Sequence, residues 1–305
     1  MSTRHADDRA VNIELIRLFD NQGGVVTSGQ ALTFLTRRGL QAEVNRGELQ
    51  KIWYGIYGRG EADIALRLRG LDLATGTPVA VCLGTAAAAY GFDTEGTVDL
   101  HVLNPSGSQL RSADGLVVHR RMGAPLTPVA GRLATAPGWT AIEVARGLPR
   151  PRALATLDAA LRSGRCSGND LHEAAGRQAG RRGIAAVREL LPLAAGQAES
   201  PMESEARLIM IEGGLPTPAL QYEVVDANGR TWRVDFAWPE YRVAAEYDGV
   251  DWHSGPRAFK RDRNRSAALQ EVDWVTVPII AEDVRQRPWQ LVRRIETQLE
   301  RRRAA

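Results

Sequence analysis

At 305 residues the chain is too long for one ordinary core and suits two or three domains, each able to bury enough apolar surface to fold. A composition of 44% hydrophobic and 25% charged residues, with no apolar run near the roughly 20 residues that span a bilayer, excludes a membrane-embedded protein. The net charge of +3 and pI near 9.1 favour phosphate partners, while two distant cysteines, Cys82 and Cys166, exclude both a disulfide framework and a Cys-rich zinc site. The polar start "MSTRHADDRA" leads into an amphipathic segment rather than an apolar signal core, so a cytoplasmic location is expected.

Residues 11 to 57 read as three helices and a short hairpin. "VNIELIRLFDNQGG" places Ile13, Ile16 and Leu18 on one side and stops at Gly23-Gly24. Thr27 or Ser28 suits the cap of a second helix running through Leu32 and Leu35 to Gly39, and a third helix spans about Gln41 to Leu49. "KIWYGIY" supplies a strand with a glycine turn. Arg38, Gln41, Asn45, Arg46 and Lys51 then lie on or beside the third helix, where base edges and phosphates are read. The bland alternative is a three-helix packing unit with a solvated face. The stretches "GGVVTSGQALTFLTRRGL" and "GELQKIWYGIY" resemble the winged-helix domain of AbiEi-type antitoxins, which implies DNA binding, often autoregulatory, over residues 1–60.

Residues 61–198 form a middle, mixed α/β and helical region. "PVAVCLGTAAAAYGF" reads as a strand and an Ala-rich helix, "VDLHVL" and "GLVVHR" as strands, and "PRALATLDAALRSG" and "GNDLHEAAGRQAG" as helices. His101, His119 and His172 fall on three separate elements with no ligand spacing, so they read as structural or surface residues. Pattern alone assigns this region no chemistry.

Residues 199–305 show the order helix, three strands, helix, strand, helix. "SPME" opens the first helix, with Ser200 as N-cap, Pro201 in the first position and Glu203 completing a capping box. Glu205 shares an apolar stripe with Met202, Leu208 and Ile209, so it points inward, where a carboxylate needs a partner or a metal. "ALQYEVV", "TWRVDFAW" and "YRVAAEYDG" are strands. A turn centred on Glu240 and Tyr241 pairs Trp238 with Val243 and so sets Asp235 opposite Glu246, with Asp248, Ala237 and Ala244 on the same face. Val234, Phe236, Trp238, Val243, Ala245 and Tyr247 go to the opposite, core face. Clustered carboxylates lacking His or Cys ligands suit Mg²⁺ or Mn²⁺, whereas a solvated pair balanced by Arg233 and Arg242 is the structural alternative. On the following helix Phe259, Asp262, Ser266 and Leu269 share a face, and Arg265 lies one turn from Asp262 and Leu269.

"ESEARLIMIEGGLPTPALQYEV", "RVDFAWPEYRVAAEYDGVDWH" and "RDRNRSAAL" resemble the domain-of-unknown-function family grouped with very-short-patch-repair (Vsr-like) endonucleases in the PD-(D/E)XK superfamily. That resemblance implies an α+β core in which Asp235 and Glu246 hold the metal and a helix glutamate, Glu205, joins them. The superfamily lysine two residues after the second acid is replaced by Asp248, so the resemblance leaves His253, Lys260 or Arg265 to help activate water or stabilise charge.

The expected protein is therefore an α/β (α+β) chain in three parts: a winged helix at 1–60, a middle region at 61–198 and a nuclease-like domain at 199–305. Its expected activity is Mg²⁺-dependent cleavage of DNA in genome defence, toxin-antitoxin function or repair. Two rivals stand beside this. One is a non-catalytic DNA-binding transcriptional regulator that grips DNA without a metal. The other is an antitoxin that holds a cognate protein partner and exposes an apolar patch.

Overall fold

A computed structural model of the protein describes residues 13–96, 98–120, 123–249 and 256–304, with the side chains of 256–262 outside the described set. The chain divides into two compact units, one of residues 1–89 and 97–136, the other of 90–96 and 137–305. The architecture is mixed helix and sheet.

The first unit opens with α1 (residues 13–21), β1 (Val25–Thr27), α2 (Ser28–Phe34), α3 (Arg37–Asn45), β2 (Gln50–Trp53) and β3 (Ile56–Gly58). The strands form one sheet in the order β1-β3-β2. Thr27 caps α2 through a reciprocal box with Gln30. The expected second helix stops five residues early, because Thr36 caps α3 by accepting a hydrogen bond from the Gly39 N–H and so draws Gly39 inside the third helix. On α1 the buried residues are Leu15 and Phe19, spaced four apart, while Ile13 and Ile16 face outward. Leu15 and Phe19 pack with Val26, Ala31, Leu40 and Leu49. A second cluster joins the sheet to α4 (Ile64–Thr75) through Val25, Ile52, Ile56 and Leu66.

After α4 come α5 (Leu83–Tyr90), β4 (Leu100–Leu103), β5 (Leu116–His119), β6 (Leu126–Val129) and β7 (Arg132–Thr135). β4 and β5 run parallel, and β6 and β7 form an antiparallel hairpin. The strand expected at "PVAVC" shrinks to single bridges from Val81 to Val102 and Ala134. Arg132 grips both oxygens of Asp72 at 2.6 and 2.8 Å and also reaches the Val79 carbonyl, fastening β7 to α4.

In the second unit four helices, α6 (Pro137–Ala145), α7 (Arg150–Arg162), α8 (Gly168–Arg177) and α9 (Ile184–Leu190), precede α10 (Pro201–Glu212). There follow β8 (Ala219–Val225), β9 (Thr231–Trp238), β10 (Val243–Tyr247), α11 (Pro256–Glu271), β11 (Val275–Ile279), α12 (Ala281–Arg285) and α13 (Pro288–Arg303). The sheet order is β11-β10-β9-β8, antiparallel except for the parallel β10–β11 pair that α11 connects. α10 and α13 cover one face over Met210, Phe236, Trp238, Val243, Ala245, Leu291 and Ile295. α11 covers the other over Val234, Ala237, Ala244 and Leu269. Val234 thus lies on the face opposite to that expected. Strict alternation fails between Val234 and Phe236, where Gln221 on the neighbouring strand holds a left-handed backbone, φ 49°.

Candidate functional site

The β9–β10 hairpin is tied by a 3₁₀ turn over Pro239–Tyr241 with Arg242 left-handed at φ 50°, and it pairs Trp238 with Val243, Ala237 with Ala244 and Phe236 with Ala245. Continued by one residue, that register sets Asp235 opposite Glu246, as the turn implies. Asp235 Oδ2 accepts the Tyr247 N–H at 2.8 Å, so its carboxylate leans across to β10. Glu246 is bound by Arg265 of α11, whose guanidinium also donates to the Arg233 carbonyl. Asp248 donates its N–H to the Ile279 carbonyl at 2.7 Å, prolonging the β10–β11 pairing. Its exposed side chain lines a polar cavity of about 320 Å³ with Glu246, Arg265, Ser266 and Thr276.

The structure places both glutamates of α10 differently from what capping and helical phase imply. Ser200 caps the helix by accepting the Glu203 N–H, but the Glu203 carboxylate does not close the expected box on Ser200 and instead receives the Glu199 N–H at 2.8 Å. The same carboxylate accepts Gln221 Nε2 at 2.9 Å and feels the charge of Asp235. Glu205, the residue expected in the cluster, is buried against α12 in a forked pair with Arg285 at 2.9 and 3.3 Å. Its inward turn is satisfied by arginine. His253 lies outside the described residues, and Lys260 sits on α11 with its side chain outside them.

Sequence reasoning missed Gln221. Leu220 pairs with Phe236 and Tyr222 with Val234, so Gln221 stands opposite Asp235, and its positive φ is a conformation that non-glycine residues adopt at a cost of order 1–3 kcal/mol. Nothing in "ALQYEVV" marks that strain except a polar residue inside an apolar strand. Glu199 was missed too. It pairs with Arg233 at 2.7 Å and adds its charge to the cluster.

Burial pushes the Asp235 carboxyl above the ordinary carboxylate range, against the pull of the Tyr247 N–H and of Arg265. Burial likewise raises Glu203, opposed by the Glu199 N–H and helped by the charge of Asp235. Among the described residues, no three acidic, histidine or cysteine side chains come together as ligands of one ion. Arg265 supplies to Glu246 the positive charge a divalent cation would supply, so the described donor set, as arranged, does not fit a Mg²⁺ or Mn²⁺ ion.

In the first unit α3 presents Arg38, Gln41 and Asn45 on one exposed face at i, i+3 and i+7, with Gln41 donating to Asn45 at 2.9 Å. Arg46 is turned into a pair with Glu43, and Lys51 projects from β2. In the middle region His101 Nδ1 and His119 Nε2 meet at 2.9 Å across β4 and β5, and His172 bonds the Gly168 carbonyl.

Two Mycobacterium tuberculosis proteins, named uncharacterized protein MT2308 (strain CDC 1551 / Oshkosh) and uncharacterized protein Rv2248 (strain ATCC 25618 / H37Rv), are each 56% identical to this chain over 271 residues, 89% of the chain and all of the relative. The chain belongs to their family. Residues 79–193 also match the AbiEi antitoxin C-terminal domain family, a stretch running from Val79 ahead of α5 to Leu193, one turn beyond α9. The AbiEi likeness expected from the first sixty residues thus has its match in the region to which pattern assigned no chemistry. That family suggests a toxin-antitoxin setting. No helix among the described residues is long and apolar enough to cross a membrane.

Proposed function

We propose that the protein is an antitoxin-type regulator that binds DNA through its N-terminal module and whose C-terminal carboxylate cluster does not hydrolyse DNA. The match of residues 79–193 to the AbiEi antitoxin C-terminal domain carries this reading. Two features support it. The exposed face of α3 offers a guanidinium and two amides, groups that read phosphates and base edges. Arg265, bound to Glu246, gives that carboxylate a counter-charge without a metal. The test is co-expression with the toxin of its locus, together with a reporter driven by the protein's own upstream DNA. The expected result is rescued growth and repression of the reporter, both unchanged in Asp235→Asn. Failure of both rescue and repression in the wild type overturns the proposal.

The second reading is a Mg²⁺-dependent DNA endonuclease, favoured by one observation: the β9–β10 register pairs Phe236 with Ala245, the residues next to Asp235 and Glu246. It requires cleavage of duplex DNA that depends on divalent metal and is lost in Asp235→Asn.

A further inference from the structure

A cavity of about 700 Å³ opens in the first unit between α4, α5, the start of β4 and the tip of the β6–β7 hairpin, and no residue of α3 lines it. Protein interiors pack closely, so a void of that size persists only where the side chains around it are too small to fill it. Here Ala65 of α4, Gly84, Ala88 and Ala89 of α5, and Ala130 of the hairpin turn form much of the wall. A two-residue turn with both central residues left-handed ordinarily takes Asn or Asp first. In this hairpin Ala130 holds φ 47° ahead of Gly131 at 77°, which keeps the tip apolar at a cost in backbone strain. Ile64 and Val98 also line the cavity, 54% and 86% exposed, so folding leaves their apolar surface in water. The walls are fixed without an occupant. α4 is held by Leu66, which packs with Val25, Ile52 and Ile56, and by Arg132, which clasps Asp72. A preformed, mostly apolar cavity of roughly 300–1,000 Å³ is the usual form of a small-molecule site.

We infer that this cavity binds a small apolar molecule, of the size of a two-ring aromatic, that carries one amine. The apolar body follows from the alanine wall, and charge selects the amine. The charged side chains lining the cavity are Asp63, Arg69, Asp99 and Arg132. Arg132 is neutralised by Asp72. Arg69 runs along the turn between α1 and β1, where a Cβ on Gly23 would stand 2.6 Å from its Cδ and 3.1 Å from its Nε, so its charge is drawn to that turn. Asp63 caps α4 by accepting the Leu66 N–H at 2.7 Å, and its charge answers the positive end of that helix. Asp99 is left, exposed and with no ion pair among the described residues. An ammonium beside Asp99, on a molecule whose ring lies against Ala65, Ala88 and Ala89, satisfies both parts of the site. The inference does not depend on DNA binding by the N-terminal module.

The test titrates the full-length protein with two probes that share a ring and differ in charge, naphthylmethylamine and naphthylacetate, by calorimetry and by the fluorescence of the ring. The amine is expected to bind at a single saturable site with Kd of about 0.1–1 mM, the range open to so small a ligand, and the carboxylate about tenfold more weakly. Ala88→Trp puts a large ring into the cavity from an exposed position of α5. It is expected to abolish binding of the amine without lowering the melting temperature. Asp99→Asn, at another exposed position, should weaken the amine about fivefold and narrow the gap between the probes, the scale of one surface charge pair. Equal binding of the two probes by the wild type overturns the assignment of an amine, and so does an unchanged gap in Asp99→Asn. Equal binding of the amine by Ala88→Trp places the probe elsewhere and overturns the site. A wild type that saturates with neither probe overturns the inference as well. In that case a dimer that Ala88→Trp splits assigns the cavity to a second copy of the chain, and a co-purifying polypeptide lost in Ala88→Trp assigns it to a protein partner.

Discussion

Two acidic centres of the second unit are built from the same residue types and differ in how deeply they are buried. At the first, Asp158 of α7 is completely buried and meets the 5%-exposed Arg207 of α10 at 2.6 Å, with the Ala195 N–H donating to its other oxygen and Arg207 also reaching the Leu193 carbonyl. Arg207 Nε finds no partner among the described residues, but both charged groups are almost wholly shut off from solvent. At the second, Glu203 of α10 lies within reach of the charge of Asp235, the neighbouring strand is held at left-handed Gln221, and Arg265, whose charge also reaches Asp235, binds Glu246 beside an open cavity. A buried ion pair locks two helices together. A strained, half-open acidic centre is the kind of place where a fold gives up stability for a site.

The largest expected effect lies at the locked pair. Arg207→Leu leaves Asp158 buried without its cation and should cost about 3–5 kcal/mol, read as a drop in the denaturant midpoint. Asp158→Asn should also destabilise, because it strands Arg207. Equal stability of either variant with the wild type would remove the contrast between the centres. Arg265→Ala should cost only about 1 kcal/mol, since both partners are partly open to water at 31% and 22% exposure.

The smallest effect has the opposite sign. Asp235 and Glu203 have carboxyls raised by burial, so their contribution to stability is present below the unfolded pKa and is lost as pH rises through the folded one. Asp235→Asn and Glu203→Gln should therefore raise the melting temperature at pH 7 and flatten its fall between pH 4 and neutrality, taking about 4 as the ordinary carboxylate value. Melting curves across that range check it. A lower melting temperature at pH 7 in both variants would mean that the cluster is structural, like the locked pair.

How much of this was legible depends on how local each cause is. The Trp238–Val243 register follows from a short turn and the period of two, and Ser200 and Thr27 are caps by their own chemistry, so those features could be read from the chain. The side taken by Val234 could not, because alternation assumes a regular backbone and the left-handed Gln221 sits on a different strand. Glu205 was placed in the cluster because its inward phase demanded a partner. The phase was right, but the partner was Arg285 on a short helix that the sequence pattern did not announce. The box expected of Glu203 does not form, because its carboxylate turns to the Glu199 N–H and to Gln221, and the latter is visible only once β8 is in place. The third helix was shifted for a simpler reason: Gly39 looks like a stop, and Thr36 makes it an interior position.

Whether the protein holds DNA without cutting it is read from one gel. End-labelled duplex from the protein's own upstream region is incubated with full-length wild type in Mg²⁺, in Mn²⁺ and in EDTA, then run under native and denaturing conditions. A regulator of the proposed kind gives a retarded band of equal strength in all three and intact strands throughout. Strand scission that needs Mg²⁺ or Mn²⁺ and disappears in Asp235→Asn would contradict it and establish the nuclease instead.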